Sequence, residues 1–148
     1  MKVLFDTSVL IAAIVEAHPR HPESLLWLRK CQEGEISLLV SSHTLAELYA
    51  VLTALPVRPK ITPAVALRII ENDVIKLADV ITLNKSEYIA VLRQMATLGL
   101  AGGKIYDALI ARTAVKAEAS KLLTLNKEHF VSVFPDIKHI LETPKMDY

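Results

Sequence analysis

VLFDTSVLIA, residues 3–12, sets three apolar residues against an aspartate, then a Thr-Ser pair and a second apolar run. Val3, Leu4 and Phe5 show no polar alternation, the pattern of a strand buried on both faces. Asp6 ends that strand, and Asp6, Thr7 and Ser8 are all competent caps for a helix over 7–16. A short buried strand feeding a helix is the opening unit of an α/β domain, and the rest of the chain repeats it.

After the HPRHP break at 18–22, a helix is expected over 22–33, with Leu25, Trp27 and Leu28 as its apolar stripe and Gly34 as its stop. ISLLV (36–40) is a second strand, followed by a helix capped by Ser41 or Ser42 and running to Leu55. A proline-rich loop leads to a helix over 63–72, and KLADVIT (76–82) alternates as a third strand. Asn84 with Glu87 three residues on forms a capping box for a helix over 84–98. GLAGG (99–103), the only glycine cluster, marks a hinge or a close backbone approach. A helix over 104–119, a strand KLLTL (121–125), a short helix from about 126 and an edge strand at DIKHIL (136–141) complete the series, with the tail 142–148 expected to be loose. The alternation predicts one domain over 1–148, a three-layer α/β/α sandwich around a mainly parallel sheet.

Composition narrows the function. The 148 residues carry 17 basic and 16 acidic side chains, a net charge of +1 that does not suit a nonspecific coat on phosphate backbones. Apolar residues make up 52%, a surplus that predicts a buried homodimer interface. No apolar run is long enough to cross a bilayer, and Asp6 interrupts any leader-like start, so a cytoplasmic protein with no membrane partner is expected. The single cysteine, Cys31, allows neither an intrachain disulfide nor a thiolate metal cluster. The five histidines lack metal-ligand spacing, and His18 and His21 fall in the proline-broken loop.

Three acids stand in apolar settings: Asp6, Glu47 in SSHTLAELYAVL (41–52) and Asp107 in GGKIYDALIARTA (102–114). A carboxylate among apolar neighbours is costly unless its charge is compensated. In a parallel α/β sheet, Asp6 at the end of strand one, Asn126 after strand four, and Glu47 and Asp107 early in their helices converge over the carboxyl ends of the strands. An all-oxygen acidic pocket suits Mg2+ or Mn2+, which activates water and relieves charge on a phosphodiester under in-line attack. No serine–histidine or cysteine–histidine pair supports a covalent route. A receiver domain would need an acidic pair that MKVLF lacks, and a haloacid-dehalogenase phosphatase would need a second acid where DTSVL has serine.

The ordered motifs resemble the PIN-domain ribonucleases, and among them the VapC toxins of toxin–antitoxin pairs. VLFDTSVLIA is similar to the family's first motif, LAELYAVLT (45–53) to its second, IYDALIARTA (105–114) to its third and LLTLNKEHF (122–130) to its last. The resemblance implies a metal-dependent endoribonuclease with Asp6, Glu47 and Asp107 holding the metal, products with 5′-phosphate and 3′-hydroxyl ends, a homodimer and a cognate antitoxin that occludes the pocket. Asn126 departs from the family's usual aspartate: it still offers a carbonyl oxygen to orient water but no charge for a second cation. If that weakens the site too far, the same fold serves as an RNA- or protein-binding module. Thr7, Ser8, Lys104, Arg112 and Lys127 lie near the motifs and are candidate contacts to the RNA backbone. Each of these residues also has an ordinary role open to it: Asp6 and Asn126 as helix caps, Glu47 paired with His43, Asp107 complementing a helix dipole, and the cations as surface charge.

Overall fold

In the computed structural model, which describes residues 1–146, five parallel strands form one sheet in the order β3-β2-β1-β4-β5. The strands are β1 (Lys2–Phe5), β2 (Ser37–Ser41), β3 (Asp79–Ile81), β4 (Lys121–Leu123) and β5 (Leu141–Glu142). β1 is central, pairing Leu4 with Leu39 of β2 on one side and with Leu122 of β4 on the other. Side chains alternate across the sheet. Val3, Phe5, Leu38 and Val40 join one apolar cluster with α1 (Thr7–Ile14), α2 (His21–Gln32), α3 (Ser42–Ala54) and α4 (Pro63–Ile69). Leu4, Leu39 and Leu122 join another with α6 (Lys104–Lys116) and α7 (Lys127–Val133). α5 (Lys85–Leu98) packs outside α6 through Val91, Met95 and Leu109. This is the expected three-layer α/β/α arrangement, with every strand parallel.

The chain moves outward from β1 to β2 and β3, then crosses to the other side for β4 and β5. The reversal lies between β1 and β4, where loops part and a crevice opens at the carboxyl ends. Asp6 sits there, its amide donating to the Leu123 carbonyl at 3.0 Å.

Several boundaries differ from expectation. The third strand shortens to three residues, and the helix expected over 63–72 continues from Ile69 as a π-helical stretch to Ile75. Ala66, Ile70 and Val74 remain buried at four-residue spacing, so the core face runs through the change of helix type. α6 stops at Lys116 and the chain turns at Glu118, which adopts φ 52. DIKHIL is not a strand: Pro135 opens a 3-10 turn through Ile140, and only Leu141–Glu142 pair with β4. The tail is held as far as Pro144. Thr124 donates to the Glu142 carbonyl at 3.0 Å, and the buried Pro144 accepts from Arg20 Nη2 at 2.7 Å. Lys145 and Met146 are exposed and outside any helix or strand, and the last two residues of the expected loose tail, 147–148, lie outside the described residues. GLAGG makes no close approach. A Cβ on Gly99 or Gly102 would meet nothing within 4 Å, and both residues have φ near 65 as the helix stop and turn between α5 and α6.

Leu122 is wholly buried between β1 and β5. Leu122→Ala should cost about 2–5 kcal/mol in urea unfolding. Leu92→Ala, at a position 56% exposed, should change stability by less than about 0.5 kcal/mol.

Candidate functional site

Asp6 is only 4% exposed. Its backbone is extended, as the N-cap of α1 requires, and Oδ1 accepts from the Val9 amide at 3.0 Å and from Ser8 Oγ at 2.6 Å. Capping therefore fixes the carboxylate rather than competing with a role in the crevice. Ser8 Oγ in turn accepts from the Leu125 amide at 3.1 Å, tying α1 to the end of β4. Glu47 reaches in from the second turn of α3. Its Oε1 lies 3.1 Å from Thr7 Oγ1, the donor, and 3.3 Å from His43 Nε2. The expected pairing with His43 is thus one of proximity, without hydrogen-bond geometry, and it coexists with placement at the site. The His43 ring stacks on Tyr106 of α6, centroids 4.9 Å apart and planes at 9°, joining the two helices that carry Glu47 and Asp107. Asn126 stands at the start of α7, but its side chain makes no capping bond.

Asp6, Glu47, Asp107 and Asn126 line one cleft of about 330 Å³, together with Thr7, Ser8, Ile11, His18, Val51 and Ile110. Of the five candidate substrate contacts, Thr7 and Ser8 are in this lining and Lys104, Arg112 and Lys127 are not. Lys127 borders an adjoining depression with Asn126, His129 and Thr143. Lys104 is exposed at the start of α6. Arg112 lies on the α5 side, where its charge helps to hold the Glu87 carboxyl low after Lys116 and the Asn84 amide have done most of it. His18 was not expected here. Its proline-bounded loop has no periodicity, and only the return of that loop over the ends of β1 and β4 brings it to the cleft.

Burial pushes the Asp6 carboxyl up to about 6, against the hydrogen bonds of Ser8, Thr124 and Val9, and the charge of Asp107 adds to the rise. Asp107 is also raised, first by burial and then by Glu47, with His129 opposing. The acids thus feel one another's charge across the cleft, the condition that a cation relieves. Among the described residues no three His, Cys, Asp or Glu side chains are gathered closely enough to chelate an ion as they stand. A lining whose acids offer only oxygen and which holds no Lys or Arg nevertheless fits Mg2+ or Mn2+. Magnesium keeps several waters and takes one or two carboxylates, with substrate phosphate completing the set. Asp6 and Asp107 are the acids that would hold such an ion, with Glu47 joining on swinging from Thr7.

A carboxyl whose folded pKa exceeds its unfolded value takes up protons on folding, so stability falls as pH rises from roughly 4 to 6, and the penalty persists above that window. Asp6→Asn retains an acceptor for Val9 and Ser8 but loses the charge. It should therefore be more stable than wild type at pH 8 without metal, by on the order of 2 kcal/mol, with the gain vanishing below about pH 4. Millimolar Mg2+ or Mn2+ should raise the Tm of wild type and leave that of Asp6→Asn unmoved. A variant less stable than wild type at pH 8 would show that the buried charge is already compensated within the protein.

Comparison with known proteins agrees with this geometry. The PIN domain family matches residues 3–133. Ribonuclease VapC27 of Mycobacterium tuberculosis is 31% identical over 114 residues, covering 77% of each chain. Ribonuclease VapC40 of the same species is 33% identical over 119 residues, 80% of this chain and 82% of that one. In structure, FitAcB from Neisseria gonorrhoeae superposes with a TM-score of 0.66 at 18% identity, over 97% of this chain and 96% of that one. VapBC2 from Rickettsia felis, bound to a DNA fragment of its promoter, gives 0.64 at 22% identity, over 98% and 100%. The latter two likenesses speak to the fold alone; the matched stretch from β1 through α7 and the ribonuclease relatives above 30% identity establish that the chain belongs to the PIN domain family.

Proposed function

We propose that this protein is a metal-dependent endoribonuclease that hydrolyses RNA phosphodiester bonds, the toxin of a VapBC-type pair. The observation that carries the reading is the gathering of Asp6, Glu47, Asp107 and Asn126, from four separate segments, into one cleft at the sheet's switch point. The ribonuclease relatives VapC27 and VapC40 and the likeness to VapBC2 support it.

A bound Mg2+ or Mn2+ would activate water and neutralise the developing phosphorane charge. The chain's own residues set the stage for that. Asp6 is immobilised by Val9 and Ser8, so its carboxylate has no freedom to collapse onto solvent. Glu47 is steered by Thr7 and His43. The Asn126 carboxamide, not used for capping, is left to orient water or phosphate without adding charge. Lys127, just outside the cleft, is a further contact for the RNA backbone, whereas Lys104 and Arg112 lie outside both the cleft and the adjoining depression.

The same reading places the protein in the cytoplasm, as a homodimer that buries part of its apolar surface; Leu67, Leu92 and Tyr106 are among its large exposed side chains. Among the described residues no helix is long and apolar enough to cross a membrane. The antitoxin inhibits by placing a basic side chain against the acids in competition with the cation.

Wild-type protein should cleave a mixed set of structured and single-stranded RNAs with Mg2+ or Mn2+ and not with EDTA. Asp6→Asn and Asp107→Asn should fall to the EDTA background while remaining folded. Equal cleavage by wild type and both variants would remove these residues from the site. Asn126→Asp should lower the metal concentration needed for half-maximal cleavage.

A further inference from the structure

Phosphate oxygens need hydrogen-bond donors, and most donors around this cleft are already committed. The Ser8 hydroxyl donates to Asp6, and the Thr7 hydroxyl lies against Glu47 and Thr44. The backbone amides of Val9, Leu125 and Asn126 are bound to Asp6, Ser8 and Thr124. Among the side chains lining the cleft, two retain a donor for a ligand: the Asn126 carboxamide and the imidazole of His18.

His18 is fixed to an unusual degree for a loop residue. Its amide donates to the Val15 carbonyl at 3.0 Å, and its own carbonyl accepts from the His21 amide at 2.9 Å. Ring Nδ1 lies 3.0 Å from the Arg20 amide. A backbone N–H only donates, so Nδ1 must present its lone pair, and the ring proton belongs on Nε2. Arg20 is itself clamped, through Nε to Glu23 at 2.7 Å and through Nη2 to the Pro144 carbonyl at 2.7 Å. The loop is also held by His21 Nδ1, 2.8 Å from the Ala12 carbonyl. The half-buried ring therefore meets the cleft with a defined tautomer and a defined position.

We propose that His18 contacts the substrate, its Nε2–H donating to a non-bridging oxygen of an RNA phosphate seated over the acids. This rests on the ribonuclease reading. It gives the cleft a fixed donor on the wall formed by the loop after α1, facing phosphate that the three carboxylates would otherwise repel. The contact requires no change in the charge of the ring.

The test compares wild type, His18→Ala and His18→Gln for cleavage and for fluorescence-anisotropy binding of one RNA oligonucleotide, with the Tm recorded with and without Mg2+. Loss of one hydrogen bond to a charged oxygen should raise KM, or the Kd where binding is read, roughly 10- to 100-fold in His18→Ala. Tm and its Mg2+ response should stay as in wild type, and His18→Gln, which keeps an N–H at similar reach, should recover part of the loss. Cleavage and binding within about twofold of wild type in His18→Ala would overturn the contact alone. Loss of cleavage together with loss of the Mg2+ response would also overturn it, since the ring would then be shaping the metal site. RNA neither cut nor bound by wild type would overturn the ribonuclease reading and this contact with it.

Discussion

Everything at the switch point depends on a carboxylate almost wholly withdrawn from water. Asp6 ends the central strand, and its side chain is surrounded by two hydroxyls, one amide and another acid. Hydrogen bonds offset part of the desolvation, but the carboxyl is still held near 6. A fold that tolerates this carries a standing penalty in the metal-free state. It also keeps the ligand rigid, since the same oxygen that caps α1 fixes the direction of approach to the cleft. Stability surrendered at such a point is a common cost of a preorganised site.

The acids differ in how firmly they are held. Asp6 has no rotameric freedom to spare, whereas Glu47 is half-exposed and steered only by Thr7 and His43. Asp107 stands on the first turn of α6, where burial and the neighbouring acid both work against its charge. A rigid buried acid, a second acid of raised pKa and a third that can swing suit the proposed role, in which one hydrated cation would be held and substrate phosphate would complete its ligands. That accounts for acids that share a cleft and a field without forming a closed cage.

Much of this was legible in the chain because local chemistry and tertiary role coincide. VLF before Asp6 and the capping box at Asn84–Glu87 are decided within a few residues, and both stand as read. The gathering of Asp6, Glu47, Asp107 and Asn126 followed from topology, since parallel strands present their carboxyl ends together. What failed was local pattern without local cause. DIKHIL has the composition of a strand, but Pro135 starts a 3-10 turn and the sheet edge needs only two residues. Lys104 and Arg112 lie near motifs in sequence, yet helical geometry turns Arg112 toward α5 and leaves Lys104 in solvent. His18 was invisible because nothing in HPRHP encodes the loop's return, which is secured by Arg20 reaching a carbonyl 124 residues away.

Asn126 is best understood through the same charge balance. A fourth carboxylate at this position would face two acids whose protons are already held above the ordinary range, and would deepen the penalty of the empty cleft. The amide avoids that and contributes something a carboxylate lacks, a donor. In a cleft whose side-chain hydroxyls are committed to holding the acids in place, side-chain donors are the scarce element. Under the proposed function, asparagine here would exchange attraction for a second cation for a hydrogen bond to phosphate, and would leave the first cation to the two acids that burial holds above the ordinary range, Asp6 and Asp107.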